Sequence, residues 1–524
     1  MISMGELCMG DSSITIGKIR IIYKNLLKLG AVIILEAYWL WLLFMHMLWD
    51  LPYQKWILAG AKVLAIAAVI YVILSAFTID HFPTKALDTI KRFCSPEWVI
   101  LFLLLVWYIL VCLIREKMDG IIYYTYNRNR IFIMILATLL AFPFMDLMGS
   151  KRGKKYIRVM MHIMTATFTP VSAWAVWKFI HLEFVTFPSG NQIDNYKQTV
   201  SLMMGNNRNT TGASAFFMLS ICLYMFMTQN RKIRIAYIPA AVVHFLVLIL
   251  SNSRTAYVGY LAMTMFTITV IAYKSQKQND RRTRIALGLS LAMTFGAVNH
   301  FVRNGILTKY KYIPTGEMPE AFLNGAGKMI MAAGQAGISL PGKALSYVAA
   351  QTGAVQVMPF DTAFVETDRN LRGFTNISGR PEIWISSIKL MFSSPDKFFL
   401  GVTPVYVRKG MAEYGGLTRD MPDAHNGILQ VGASLGVPAM ILFIVFEVMI
   451  IIRCIRLLRV AEIRKSANTW VIVPVIFSIM MMDLTEVRTF AIYRAVLLLF
   501  YLFAGWAVYL DKRRREKRVN YPNR

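Results

Sequence analysis

The chain has 524 residues, of which 56% are hydrophobic and only 16% are charged, whereas a soluble domain carries roughly 25% charged residues. This composition excludes a soluble enzyme and indicates an integral membrane protein. The net charge of +28 does not indicate nucleic-acid binding, because the Lys and Arg residues lie mostly in short loops between apolar runs.

Apolar runs of bilayer-spanning length predict an all-α integral membrane protein with about 12 transmembrane helices. The runs lie near residues 30–49, 57–77, 98–114, 131–148, 159–180, 212–228, 235–250, 256–273, 285–302, 427–452, 470–482 and 490–510. Transmembrane helices 1–9 fall within residues 1–303, and helices 10–12 fall within residues 425–510. One large external loop with short helices, residues 304–424, separates helices 9 and 10, and a basic cytoplasmic tail occupies residues 511–524.

The distribution of Lys and Arg among the loops predicts which side of the membrane each loop faces. The proposed inner segments carry 32 of these residues, and the short outer ones carry 9. Both termini are therefore predicted to be cytoplasmic and the long loop external. Four of the nine outer charges, Arg115, Lys117, Arg128 and Arg130, fall in one loop after the third helix and break the alternation.

The long external loop exceeds the length of a simple connection, which indicates a functional segment. Two of its stretches are helix-like, residues 318–333 and residues 381–394. The second opens with Pro381 and Glu382, a combination that suits a helix N-terminus. Its apolar residues predict that it lies on the bilayer surface or caps the helical bundle.

Three arginines lie at predicted outer helix ends, Arg208, Arg254 and Arg488, and Arg380 lies in the external loop. Arginine is costly at a membrane, and its planar guanidinium matches the oxygens of a phosphate. These residues indicate an anion-binding site. The alternative is an interfacial arginine that pairs with lipid headgroups or a carboxylate, and for Arg488 the two interpretations are evenly balanced.

The segment Asp-Ala-His425-Asn-Gly lies where the external loop re-enters the membrane. A neutral imidazole there can take a proton from a hydroxyl, and neighbouring arginines would keep it uncharged. Asp423 could orient His425 or cap the following helix, and capping is the preferred interpretation. The alternative for His425 is a hydrogen-bonded loop residue, whereas His244, inside an apolar run, is most simply a bundle residue.

His425-Asn426, a nine-residue spacer and then Gly436-Val437-Pro438-Ala439 resemble the His-Asn, spacer, Gly-x-x-Gly pattern of the bacterial O-antigen ligase and O-antigen polymerase family. Ala439 replaces the last glycine but keeps a small residue, and the glycines are interpreted as helix-packing residues. The segments around Arg208, Arg254 and Arg380 also resemble the family, in the same order. The resemblance covers residues 205–448.

The resemblance implies a multi-pass membrane glycosyltransferase whose donor is a polyprenyl-pyrophosphate-linked oligosaccharide, at the outer face of the bacterial cytoplasmic membrane. It implies that Arg208 and Arg254 hold the pyrophosphate, that Arg380 is a further contact and that His425 is the catalytic base. Possible supporting residues are Asp423, Asn426 and Arg488. The implied partners are a glycan or lipid acceptor and membrane lipids, and neither a metal nor another cofactor is expected.

Three functions stay open at this point. A surface-polysaccharide polymerase is preferred, because the polymerising members vary most in sequence and no ligase-specific feature is visible. The second is a ligase that moves the finished glycan to a lipid, wall or protein acceptor. The third is a transporter without chemistry, but the chain shows no internal repeat, and Glu36, Lys62, Asp146 and Glu447 are placed toward helix ends.

The predicted topology places the loop at residues 274–284 in the cytoplasm, because it carries five Lys and Arg residues. A reporter that is active only outside the cytoplasm should therefore stay silent when fused directly after Arg284. The same reporter fused within the external loop serves as the positive control. A strong external signal from the Arg284 fusion would contradict the topology.

Overall fold

The structure, a computed structural model, describes residues 26–27, 29–38, 41, 54–76, 95–119, 123–180, 208–229, 231–251, 253, 255–256, 259–260, 262–263, 380–417, 423–459, 467–487, 489–490 and 495–520. These residues form helices and the turns between them, and no strand occurs among them, which confirms the all-α prediction for this part of the chain. Three of these helices are long and apolar enough to cross a membrane, Pro96–Met118, Lys151–Trp177 and Ile233–Leu250. The count of twelve spans stays a prediction.

The helices are numbered here in chain order. They are α1 (Gln54–Ala76), α2 (Pro96–Asp119), α3 (Tyr123–Ile180), α4 (Arg208–Thr228), α5 (Arg231–Leu250), α6 (Arg380–Met391), α7 (Pro395–Leu400), α8 (Val407–Glu413), α9 (Gly427–Leu435), α10 (Val437–Arg459), α11 (Ala467–Asp483) and α12 (Ala495–Asn520). A shorter apolar helix, Leu29–Tyr38, precedes α1. The chain divides into a first unit, Met1–His162 with Glu382–Arg524, and a second unit, Ile163–Pro381.

Within the second unit, α4 and α5 pack against each other as neighbours along the chain. Within the first unit, α10 is the central helix and contacts α2, α9, α11 and α12. Its buried face carries aromatic residues, and Phe443 and Phe446 are fully buried against rings from neighbouring elements. Of the helix-like stretches predicted in the external loop, 381–394 corresponds to α6, and 318–333 lies outside the described residues.

The basic segment predicted as an inner loop at residues 149–158 is helical instead. Helix α3 runs through it, and the only interruption is Gly149, whose φ of 66° and ψ of 171° are not helical. Glycine adopts such a positive φ without a side-chain clash, whereas the Lys and Arg residues that follow are good helix formers. The turn between the two predicted spans is therefore compressed into one residue.

The predicted span at residues 427–452 is wrong as a single helix, because it consists of α9 and α10 joined at Gly436. Gly436 has a φ of +86°, and a side chain there would collide with the backbone of Phe399. Gly432 lies four residues before Gly436 and Met440 lies four residues after it, and the two pack against each other across the break. The two helices form a hairpin, and Gly436 provides a backbone conformation in addition to close packing.

The short helix α9 ends with carbonyls that cannot bond within the helix. The backbone N–H groups of Val402 and Thr403 donate to carbonyls of its last turn at 3.0 and 2.8 Å. The indole Nε1 of Trp107, from α2, donates to the carbonyl of Leu435 at 2.9 Å. These three donors satisfy the end of α9.

Helix α2 carries an ion-pair cluster near each end. At its start, Glu97 accepts from Arg453 of α10 at 2.6 Å, and Arg453 also donates to Asp511 of α12 at 2.6 Å. At its other end, Arg115 lies 2.9 Å from Asp396. Glu97 and Arg115 are 18 residues apart, which corresponds to roughly 27 Å of helix and is close to the thickness of a bilayer core.

Helices α2 and α10 of the first unit contradict two further predictions. Arg115 was expected in an outer loop, but it lies within α2 with a buried side chain that is paired with Asp396, which explains this charge outside the inner segments. Glu447 was placed toward a helix end, but it lies buried in the middle of α10. The predicted basic tail is also helical as far as Asn520, since α12 continues through it.

The segment from α6 to α8 forms a small hydrophobic core with α9. Its members are Ile383, Leu390, Met391, Val402, Val407, Met411, Leu417 and Ala433. Ile385 and Ile388 on the opposite face of α6, and Phe392 directly after it, are exposed. One face of α6 thus packs on the first unit, and a position on the bilayer surface stays a prediction.

Replacing Gly436 by Ala should destabilise the protein more than replacing Gly416 by Ala. Both glycines have a positive φ, +86° and +70°, but a side chain at Gly436 meets the backbone of Phe399 and one at Gly416 meets nothing within 4 Å. A positive φ costs roughly 1 to 3 kcal/mol for a residue with a side chain, and the collision should add about 1 to 3 kcal/mol at Gly436 alone. Thermal unfolding in detergent measures the difference, and equal melting temperatures for the two variants would contradict the hairpin.

Candidate functional site

His425 lies in the turn that leads into α9 and has a left-handed backbone conformation, with a φ of +47°. Such a conformation is uncommon outside glycine and is retained where surrounding contacts hold it. The carboxylate of Asp423 accepts a hydrogen bond from the backbone N–H of His425 at 2.9 Å. The indole Nε1 of Trp384, from α6, donates to the His425 carbonyl at 3.5 Å.

Asn426, and not Asp423, caps α9. Its side-chain oxygen accepts from the backbone N–H of Leu429 at 3.0 Å, and its amide nitrogen donates to the Leu484 carbonyl at 3.1 Å. The capping role preferred for Asp423 from the sequence is therefore wrong. Asp423 fixes the backbone of His425, and Asn426 fixes the helix start to the turn after α11.

Two carboxylates approach the same nitrogen of the His425 ring. Nδ1 lies 3.0 Å from Oε1 of Glu486 and 3.4 Å from Oδ1 of Asp423. The Glu486 side chain is 5% exposed and that of His425 is 19% exposed, so the carboxylate is buried and the ring reaches solvent. The two carboxylates favour a proton on Nδ1, which leaves the lone pair on Nε2 for a substrate proton.

The positive charge that the imidazole acquires on taking a proton would face both carboxylates. Opposite charges at this distance stabilise the protonated ring. The site thus contains the elements of a general base, with an imidazole whose orientation is held by an acid and by its own backbone. Because the Glu486 carboxylate is nearly buried, solvent screens this interaction less than it would at a surface.

Asp483 holds the turn that carries Glu486. Its buried carboxylate accepts from the backbone N–H of Thr489 at 3.0 Å and from the Thr489 hydroxyl at 2.6 Å. The same carboxylate lies against Gly427, where a side chain would collide with it. Gly427 is therefore needed for close approach, and this contact sets Glu486 beside His425.

Glu486 and Asp483 were not identified from the sequence. The segment Thr-Glu486-Val-Arg-Thr was singled out only for Arg488, which lies outside the described residues. A usable signal was present, because Glu486 lies in the turn between two predicted spans, on the side to which His425 was assigned. The pairing itself spans 61 residues of sequence and depends on how three helices pack.

The same three side chains have the composition of a metal site. Asp423, His425 and Glu486 each offer a ligand atom, and these atoms lie within 4.8 Å of one another. Two carboxylate oxygens and one imidazole nitrogen would suit a divalent cation. If Nδ1 carries a proton, however, it has no lone pair for a metal, so the protonated and metal-bound states of Nδ1 exclude each other.

In the second unit, Gly212 brings two arginine-containing segments together. Arg208 begins α4, and Gly212, one turn later, packs so closely on Ser251 and Ser253 that a side chain would collide with them. The Ser253 hydroxyl accepts from the backbone N–H of Ala256 at 3.3 Å. The side chains of this serine turn therefore contact the first turns of α4.

Arg380 contacts the same serine turn. Its Nη2 donates to the hydroxyl of Thr255 at 3.4 Å, and Thr255 directly follows Arg254 along the chain. The side chain of Arg208 and all of Arg254 lie outside what the structure describes. Of the predicted anion-binding residues, Arg380 is thus placed next to the Arg254 segment, and the roles of all three stay predictions.

His244 is placed as the sequence suggested. It is buried in α5, and its Nε2 lies 3.1 Å from the hydroxyl of Thr169 on α3, within the second unit. This contact is that of a bundle residue with a polar partner.

Comparison with known proteins identifies a family. Residues 239–444 match the model of the O-antigen ligase family. The match includes Arg254, Arg380 and His425, and it ends within α10, before Glu486. No curated protein matches the chain. The family match confirms the resemblance found in the sequence motifs.

Proposed function

We propose that this chain, which belongs to the O-antigen ligase family, is a membrane glycosyltransferase of surface-polysaccharide synthesis. Its donor would be a polyprenyl-pyrophosphate-linked glycan at the outer face of the bacterial cytoplasmic membrane. The observation that carries the proposal is His425, which lies inside the matched family domain with Nδ1 3.0 Å from the buried carboxylate of Glu486.

In the proposed reaction, Nε2 of His425 takes the proton from an acceptor hydroxyl as its oxygen attacks the anomeric carbon of the donor sugar. A new glycosidic C–O bond forms, and the bond between that carbon and the pyrophosphate oxygen breaks. The bonding electrons leave with the pyrophosphate, and the proton stays on His425. Glu486 would orient the ring and stabilise its positive charge, and Asp423 would hold its backbone.

The departing pyrophosphate gains negative charge, which guanidinium groups stabilise with bidentate hydrogen bonds. We assign this role to Arg208 and Arg254, with Arg380 as a further contact. Two contacts support this assignment. Gly212, one turn after Arg208, packs on Ser251 and Ser253, and Arg380 contacts Thr255. Both contacts are made to residues that flank Arg254 in the sequence. Asn426 would support His425 through the start of α9, and Arg488 is the remaining candidate contact.

We propose a polymerase that joins lipid-linked repeat units as the specific activity. The second candidate is a ligase, and the observation that favours it is the name of the matching family model. The two differ in the acceptor, which is another lipid-linked glycan for a polymerase and a lipid, wall polymer or protein for a ligase. Both use the same donor chemistry and the same base.

Deleting the gene and sizing the glycans that remain on the lipid carrier tests the proposal. Single repeat units on the carrier would support a polymerase, whereas long unattached polymer would support the ligase. Restoring the gene on a plasmid should restore the original glycan pattern. An unchanged pattern in the deletion strain would contradict both functions.

Replacing His425 by Ala should lower glycan transfer on the order of 100-fold to 10,000-fold, because the reaction loses its base. Arg254→Lys should also lose most activity, because lysine keeps the charge but not the planar fork that fits phosphate. Transfer by purified protein, divided by the folded fraction, measures both effects. A merely structural His425 predicts parallel losses of activity and melting temperature, and normal specific activity in His425→Ala would remove the assignment.

The same transfer assay distinguishes His425 acting as a base beside Glu486 from His425 acting as a metal ligand. Treatment with EDTA should leave the rate unchanged if Nδ1 of His425 bonds to Glu486, whereas a metal held by the three side chains would be removed and the rate would fall.

A further inference from the structure

We propose that Arg115 is a positioning residue for the transfer reaction, because it holds the loop that fixes the far end of the helix following His425. This inference rests on the proposed function. Arg115 lies on α2, and its partners are Gly401 and Asp396, which have no role assigned in the transfer reaction. It would act through two elements, the segment at residues 395–403, which comprises α7 and the three residues after it and is called the loop here, and helix α9.

The Arg115 side chain is 5% exposed, and a buried guanidinium is costly unless its donors are paired. Its Nε donates to the carbonyl of Gly401 at 2.8 Å, and its Nη1 lies 2.9 Å from Oδ2 of Asp396. Burial raises the pKa of the Asp396 carboxyl, but hydrogen bonds from Ser394 and Arg115 outweigh burial and leave that pKa below its ordinary value. Arg115 therefore holds the loop by a charged contact and a backbone contact.

The loop is in turn fixed to the C-terminal end of α9. Gly401 has a φ of +64°, and a side chain there would collide with the backbone of Ser434 and Leu435. The next two residues, Val402 and Thr403, donate to carbonyls of the last turn of α9. Thr403 itself has a φ of +67°, which is unusual for a β-branched residue and is maintained here by these contacts.

Helix α9 transmits this placement to His425. The helix has 9 residues and is roughly 13 Å long, and it begins directly after His425 and Asn426. A helix this short moves as a rigid rod, so a displacement of its C-terminal end would shift its N-terminal end beside His425. Displacements of about 1 Å at a reacting group can lower a rate on the order of 100-fold.

Arg453 provides a matched control. It is as buried as Arg115, belongs to the same unit and pairs with the carboxylates of Glu97 and Asp511, but it lies on the later part of α10, away from α9 and its capping loop. If loss of any buried arginine disturbed the enzyme equally, Arg453→Lys and Arg115→Lys would have the same effects. If Arg115 positions the loop, only its variant should affect the reaction itself.

The experiment measures transfer by purified Arg115→Lys, Arg115→Gln and Arg453→Lys, each divided by its folded fraction. Arg115→Lys keeps a charge for Asp396 but loses the Nε donor to Gly401. We expect kcat to fall about 10-fold to 100-fold in both Arg115 variants with KM for the donor unchanged, and kcat to stay within about twofold of wild type in Arg453→Lys. Full rescue of kcat by Arg115→Lys would overturn the proposal.

Hydrogen exchange of the peptide that contains α9 gives a readout that does not depend on the reaction. Its amides should exchange faster in Arg115→Lys than in the wild type and should be unchanged in Arg453→Lys. Unchanged exchange in Arg115→Lys would overturn the positioning role even if the wild type transfers glycan. A wild type that transfers no glycan, with the exchange difference present, would instead contradict the proposed function and leave the loop contact established.

Discussion

Backbone groups that are buried away from water need hydrogen-bond partners inside the protein, because each unpaired group costs free energy. The break at Gly436 leaves the last carbonyls of α9 without partners in their own helix, and the backbone of Val402 and Thr403 and the indole of Trp107 replace the missing bonds. Much of the first unit follows from this requirement. The loop needs two positive φ values to reach α9, and the buried Arg115 holds that loop.

The N-terminal end of α9 lies beside the candidate catalytic residues. The helix starts at Gly427, where the absence of a side chain lets the Asp483 carboxylate approach. Asp483 holds the turn with Glu486, and Glu486 contacts His425. Burying carboxylates is costly without compensating contacts: Thr489 donates hydrogen bonds to Asp483, and the imidazole lies within ion-pair distance of Glu486. A strained histidine backbone and buried acids beside it are features more typical of a reactive site than of a helix cap.

Much of the helical architecture could be predicted because spanning helices need long apolar runs, and α2, α4 and α5 coincide with such runs. The break at Gly436 could not be predicted, because a single glycine between two apolar segments hardly changes the average hydropathy of the run. The helix through residues 149–158 was predicted as an inner loop for a related reason, because a helix can continue through charged residues beyond an apolar run.

The candidate site was predictable where residues close in sequence act together. His425 and Asn426 were found from their motif, and Asn426 indeed serves the following helix. The partnership with Glu486 and the ion pair of Arg115 with Asp396 join residues on different helices, so their chemistry is visible in the sequence but their neighbours are not. Helix packing decides such pairs, and packing depends on the whole bundle.

The central claim, that His425 and Glu486 act as one catalytic unit, is tested most directly by a double-mutant cycle. Transfer rates per folded protein are measured for Glu486→Gln, His425→Ala and the double variant, with a saturating donor. Residues that act as a unit have non-additive effects, so we predict that Glu486→Gln lowers kcat on the order of 100-fold and that the double variant is no slower than His425→Ala alone. A near-normal rate in Glu486→Gln, or a double variant whose loss is the product of the two single losses, would contradict the account.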